Sequence, residues 1–215
     1  MSIAEKILRA KADYDAVYEA GKASGGGSVS LTPCFDGSIS GEYVDNNLIT
    51  LRHGAFAGCE NLTKISLPNC KEMKGNRNFN SCTNLEVVEL PEVETVAELA
   101  YTFESAKKLE RVSFPKLKTT GGTGACFQTC TNLKRVDFPL LSGVTLSNYT
   151  FRNCSNLETV VIGGSALCPM NSSNVVSGAT KAIFYVPDNL VTQYKAATNW
   201  ASISGRIKPM SELGD

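Results

Sequence analysis

The chain has 215 residues, 42% of them hydrophobic and 20% charged, with 21 Lys+Arg against 21 Asp+Glu, eight Cys and one His. A net charge of zero argues against a sequence-independent binder of nucleic acid or anionic membrane, since such proteins carry an excess of Lys and Arg to neutralise phosphates. A single imidazole, His53, leaves little material for His-based zinc sites or acid–base dyads, so the chain is expected not to be an enzyme and to need no cofactor or metal.

Residues 1–20 form the first expected element, an amphipathic helix. Ile3, Ile7, Ala10, Tyr14 and Val17 follow one another at 4, 3, 4 and 3 residues, the a/d seam of a heptad. A lone helix of this length is marginal in water, so the seam implies homo-oligomerisation, with a trimer favoured, or docking onto another protein. Glu5, Lys6, Arg9, Lys11, Asp13 and Asp15 interrupt every apolar run here, so neither a secretion signal nor a membrane span is expected. The chain reads as made in the cytosol with reduced thiols. Gly/Ser-rich residues 21–28 make a swivel. Residues 29–47, with the hairpin signal Asp36-Gly37, read as an N-terminal cap. The opening Ser2-Ile-Ala-Glu-Lys-Ile7 and Val17-Tyr-Glu-Ala-Gly21-Lys resembles the short leaders of phage and prophage tail- and baseplate-associated proteins, which implies a virion component.

Residues 48–186 are organised by a repeat. Phe56, Phe79, Phe103, Phe127 and Phe151 recur at 23, 24, 24 and 24 residues, and each opens the frame F-x-x-C-x-N-L-x-x-V-x-[LF]-P. Phe, Cys and Leu at offsets 0, 3 and 6 suit one face of a short helical or 3₁₀ turn, the V-x-[LF] alternation suits a strand, and the Pro closes it. One unit cannot bury these residues alone. Stacked units can, so the repeat predicts an α/β solenoid of five units of about 24 residues.

The pattern resembles the BspA-like leucine-rich repeat family over roughly Leu48 to Pro187, and the resemblance implies a leucine-rich repeat fold and a bacterial, protist or phage setting. The chain departs from the pattern at Ala106 and Lys108 in the third unit, and at Gly163, which stands where the other four units have Pro. Residues 187–215 are expected to be a C-terminal helical cap. Asp188 is a plausible N-cap for a helix carrying Leu190, Val191 and Tyr194, with Trp200, Ile203 and Ile207 continuing its apolar set. The segment from Tyr185 to Trp200 is also similar to the ending of many members of the family.

Cys59, Cys82, Cys130 and Cys154 share one repeat position, which Ala106 fills in the remaining unit, so they read as a ladder of buried free thiols. Cys34, Cys70, Cys126 and Cys168 are scattered, and a disulfide among them stays open. Thr120-Gly-Gly-Thr-Gly124 lacks the Lys and the following helix of a phosphate loop and reads as a tight turn between strands. His53 reads as a surface or capping residue.

With the Val/Ile and Leu/Phe of each strand turned inward, alternate residues must face out in two columns. These are Lys64, Val87, Arg111, Arg135 and Thr159, and Ser66, Glu89, Ser113, Asp137 and Val161. Five rungs give a mixed-sign face about 20–25 Å long, the candidate ligand-binding surface. The expected function is a non-enzymatic binding or adhesion module on a phage tail in the virion, contacting protein or glycan on a host cell surface. Self or other virion proteins would be partners of the N-terminal helix. The alternatives are a bacterial cell-surface adhesin and a structural or scaffolding protein without an external ligand.

Overall fold

A computed structural model describes residues 39–214. The expected helix over residues 1–20 with its seam, the Gly/Ser swivel, the Asp36-Gly37 signal and Cys34 all lie outside the described residues.

The repeat coils into a solenoid with two parallel sheets and a side made of turns. The long sheet has eight parallel strands in chain order except that alternate early strands go to the second sheet. It runs β1 (Gly41–Val44), β3 (Leu62–Ser66), β5 (Val87–Glu89), β7 (Arg111–Ser113), β8 (Arg135–Phe138), β9 (Thr159–Ile162), β10 (Ile183–Val186) and β11 (Ile207–Pro209). The short sheet pairs β2 (Thr50–Arg52), β4 (Glu72–Lys74) and β6 (Thr95–Val96), and a bridge from Val96 to Thr120 carries it one rung further. Its buried residues are Leu51, Met73 and Val96, one per coil.

The third side is where the repeated Phe stand. Each Phe N–H donates to a carbonyl of the next rung, as Phe79 to Thr102 and Phe103 to Cys126, both at 2.8 Å. Bonds from the residue at offset 3 back to each Phe carbonyl close a turn, but no helix develops. The reason is backbone handedness: the residues two before and two after each Phe have positive φ. Arg77, Tyr101, Ala125 and Tyr149 fill the first position, and Ser81, Ser105, Thr129 and Asn153 the second; in the first unit both are glycines, Gly54 and Gly58. Left-handed residues end a helical path, so the expected 3₁₀ segment becomes a run of tight turns whose N–H groups are free to ladder.

The core lies between these three sides. Phe56, Phe79, Phe103, Phe127 and Phe151 are fully buried, and adjacent rings stack with centroids 5.2–5.7 Å apart. Tyr43 closes the stack edge-on at one end, 5.2 Å from Phe56, and Phe184 closes the other, 6.2 Å from Phe151. The thiols of Cys82, Cys130 and Cys154 do more than fill space. Each Sγ lies 2.9 Å from the carbonyl oxygen of the Phe one rung before, Phe56, Phe103 and Phe127 respectively. Burial pushes the Cys82 and Cys154 thiols up to about 12 and that of Cys130 well above its ordinary value.

The free-thiol reading fails at one position. Cys82, Cys130 and Cys154 are free, as are Cys70, Cys126 and Cys168, but Cys59 is disulfide-bonded. Cys59 stands on the first Phe rung, at the end of the column. The expectation of reduced thiols is corrected at this ladder position.

Three further expectations change. Thr120-Gly-Gly-Thr-Gly124 joins rungs instead of making a tight turn: the Gly121 N–H donates to the Ala97 carbonyl at 3.0 Å, and a Cβ on Gly121 would come within 2.4 Å of that oxygen. Gly163 replaces Pro because its N–H donates to Phe138 O at 3.0 Å and a Cβ there would meet Pro139 O at 2.2 Å. In the C-terminal cap, the helix α1 is short (Val191–Ala196), and Asp188 does not cap it. The Asp188 carboxylate instead accepts the Ser211 N–H at 3.1 Å. Ile207 lies not on the helix but in β11, which pairs with β10 and ends at Pro209, a residue tolerated because this is the edge strand. Among the described residues, no helix is long and apolar enough to cross a membrane.

Candidate functional site

The parallel register builds the outer face of the long sheet directly. Lys64, Val87, Arg111, Arg135 and Thr159 are successive partners, and Glu42 and Ile183 extend the column at either end. In the second column Ser66 partners Glu89 and Val44, while Ser113, Asp137, Val161, Tyr185 and Lys208 form a continuous row. Eight strands at about 4.8 Å give a face about 34 Å long, longer than five rungs. The alternation in Ile183-Phe-Tyr-Val186 announces β10, but nothing in Ile207-Lys-Pro209 marks a strand by itself.

Facing out does not mean exposed. Val87 is 41% accessible, and Lys64, Glu89 and Arg111 are open or partly open, with Ser113 and Thr159 half-buried. Ser66, Asp137 and Val161, expected on the surface, are buried at 9%, 7% and 3%. The cause is lateral cover from the neighbouring rungs. Val161 lies between Asp137 and Tyr185 in register. Asp137 lies beneath two arginines: Arg111 Nη2 and Nε donate to Oδ2 at 2.8 and 3.1 Å, and Arg135 Nε donates to Oδ1 at 2.9 Å. Hydrogen bonding from Ser66, then from Lys64 (3.2 Å from the Glu89 carboxylate), holds Glu89 below its ordinary carboxylate value.

The zero net charge is organised by the same period. Lys116 pairs with Glu92 at 2.6 Å and Lys134 with Glu110 at 3.0 Å, each pair 24 residues apart and therefore on adjacent rungs. Lys108 lies 3.9 Å from Glu86. Such exposed pairs contribute little to stability, about 0–1 kcal/mol each, but they fix where charge sits along the surface.

The sheet is loosest between β5 and β7, where Val87 and Arg111 are the one registered pair, against three or four at most other seams. Val88, whose counterparts Ile65, Val112, Val136 and Val160 are buried, is only partly buried here. A groove of about 750 Å³ opens over this seam, lined by Val87, Val88, Lys108, Glu110, Arg111 and Ser113 among others. A second of about 380 Å³ adjoins it along Val88, Ser113, Pro91 and Pro115. Glu86, Lys108, Glu110 and Asn132 line the first groove and were not among the binding candidates read from the sequence. Their shared place in the repeat, just before each strand, was the available signal.

The remaining candidate residues stay apart from this face. His53 is exposed just after β2. Cys126 is buried, and among the described residues no group of three or more His, Cys, Asp or Glu is placed to hold a metal ion. Trp200 is wholly buried in the cap, with its Nε1 donating to Cys168 O at 2.9 Å, so it serves the core and not a ligand.

Comparison with known proteins agrees with this architecture. The crystal structure of the T. pallidum leucine-rich repeat protein is similar over 74% of this chain and 72% of that one, with 19% identity and a TM-score of 0.55. A leucine-rich repeat protein from Bacteroides ovatus ATCC 8483 aligns over 78% of this chain and 60% of its own, at 17% identity and a TM-score of 0.35. None of the curated proteins matches. The model of the BspA type leucine-rich repeat region matches residues 34–158 in six copies. With the period, the parallel rungs and the Phe turns in place, the chain belongs to the BspA-type leucine-rich repeat family.

Proposed function

We propose that this protein is a non-enzymatic binding module that engages a macromolecular partner with the outer face of its long sheet. The observation that carries this reading is the groove at the β5–β7 seam, where the sheet leaves Val87 exposed among fixed charges. An apolar centre within a rim of oriented polar groups is the anatomy of a protein-contact surface. The test is a panel of immobilised host-surface proteins and glycans. Val87→Lys and Thr159→Lys should abolish binding to any partner found, and Thr95→Lys, on the short sheet, should leave it intact. Equal binding by all four proteins would sink the reading.

We place the module at a bacterial cell surface. The Cys59 disulfide favours this setting, since disulfides persist in oxidising compartments. The second reading, a phage-tail virion protein oligomerised through Ile3, Ile7, Ala10, Tyr14 and Val17, is supported by the heptad spacing of the sequence. It expects a trimer by light scattering that becomes monomeric on removal of residues 1–27; a monomer at both lengths would dismiss it.

A further inference from the structure

We propose that Arg111 and Arg135, held by Asp137, form a carboxylate-binding subsite that takes an acidic side chain of a partner protein, with an adjacent aliphatic side chain seated against Val87. The inference deepens the proposed function and rests on the outer face being the binding surface.

Two arginines on directly paired positions of neighbouring strands repel each other. The repeat does not demand them, because the same column position holds Lys64, Val87 and Thr159 in other units. One carboxylate serves both guanidiniums, so the cluster keeps one net positive charge. The nearby acids do not cancel it: Glu110 is engaged by Lys134 and Glu86 by Lys108. Asp137 also orients the forks. Its side chain is 9% exposed, whereas those of Arg111 and Arg135 are 61% and 30% exposed. Nη1 of Arg111 and both Nη of Arg135 have no hydrogen-bond partner among the described residues. Pre-oriented guanidinium forks with unused N–H groups match the geometry of a carboxylate.

Val87 identifies the rest of the ligand. It is the registered neighbour of Arg111 and stands over the 750 Å³ groove. In an extended peptide crossing the strands, side chains at i and i+2 point the same way about 7 Å apart. The span from Val87 to the arginines is one to two strand spacings, about 5–10 Å, so an aliphatic residue and an acid two apart reach both. An acidic sugar is less well served. The nearest outward aromatic in register with Asp137 is Tyr185, two strands away and half-buried.

The test uses the full chain labelled with ¹⁵N, following the Arg111 and Arg135 Nε–H signals during titration with acetyl-Gly-Leu-Gly-Glu-Gly-amide, its Gln counterpart, and glucuronate. The Glu peptide should shift both signals saturably, the Gln peptide should bind at least tenfold more weakly, and Val87→Ser should weaken the Glu peptide. Arg111→Gln should remove the response while leaving the unfolding midpoint within the range of surface substitutions. Stronger shifts with glucuronate would assign the subsite to an acidic sugar and overturn the protein reading, and no shift with either would overturn the subsite. If Val87→Lys and Thr159→Lys abolish partner binding on the panel while the double substitution Arg111→Gln, Arg135→Gln preserves it, the face reading stands and this inference falls.

Discussion

Trp200 donates its indole N–H to the carbonyl of Cys168, 2.9 Å away and 32 residues earlier in the chain. The Cys168 N–H in turn donates to the Tyr194 hydroxyl at 2.9 Å, so two aromatic side chains of the cap satisfy both main-chain groups of one buried residue. Trp200 also meets Phe184 edge-on at 5.0 Å, joining the cap to the end of the Phe stack. Trp200→Phe should cost about 1–3 kcal/mol, mainly by leaving a buried carbonyl unpaired. Trp200→Ala should cost about 3–5 kcal/mol. Urea denaturation measures both; a Trp200→Phe variant as stable as the unmodified protein would show that the indole N–H contributes nothing.

Restoring the repeat's own proline at position 163 should destabilise the protein. Gly163 N–H donates to Phe138 O, and the backbone of the preceding rung approaches too closely for a side chain. Gly163→Pro should cost about 1–3 kcal/mol from the unpaired Phe138 carbonyl alone, with the close approach of the preceding rung adding to it, read as a lowered unfolding midpoint. An unchanged midpoint would mean that the rungs can part here without loss.

Stability should fall in alkali. Burial raises all six free thiols above their usual value of 9.0, with Cys82 and Cys154 reaching about 12. Between pH 9 and 12 the folded state holds these protons while the unfolded state has released them, so unfolding releases protons and stability declines as pH rises. Each such thiol contributes a slope of up to about 1.4 kcal/mol per pH unit. Thermal melts from pH 8 to 11 should show a steep loss that Cys82→Ala and Cys154→Ala flatten. A level profile would contradict the burial.

Alkylation should sort the cysteines. Iodoacetamide should label Cys82, Cys126, Cys130, Cys154 and Cys168 only after denaturation, and Cys59 only after reduction as well. Mass spectrometry of peptides reads the outcome; Cys59 labelled in denaturant without reductant would remove the disulfide and with it the support for a cell-surface setting.

Thr129 tests the turn ladder. A β-branched residue at φ 63° is strained, by about 1–2 kcal/mol, against about 0.5–1 kcal/mol of added chain entropy for glycine. Thr129→Gly should therefore be neutral or stabilising by up to about 1 kcal/mol, and a clear destabilisation would show that the side chain contributes packing that outweighs the strain.

The architecture was legible because a period is a one-dimensional signal. Phe at 23- or 24-residue intervals, followed by V-x-[LF], determined the stacking of units, the parallel strands and the inward residues, since identical units bury their apolar positions only against one another. The same alternation determined which residues face out. It could not determine which of them are exposed. Asp137 disappears beneath Arg111 and Arg135 because side chains 26 and 2 residues away in the chain lie within hydrogen-bonding reach once the rungs stack. Nor could it show the loosened seam between β5 and β7, the strand Ile207–Pro209 recruited to the sheet edge, or the glycine that position 163 requires. Those depend on how closely one rung lies on the next, a distance set by the packed core as a whole and carried by no single repeat.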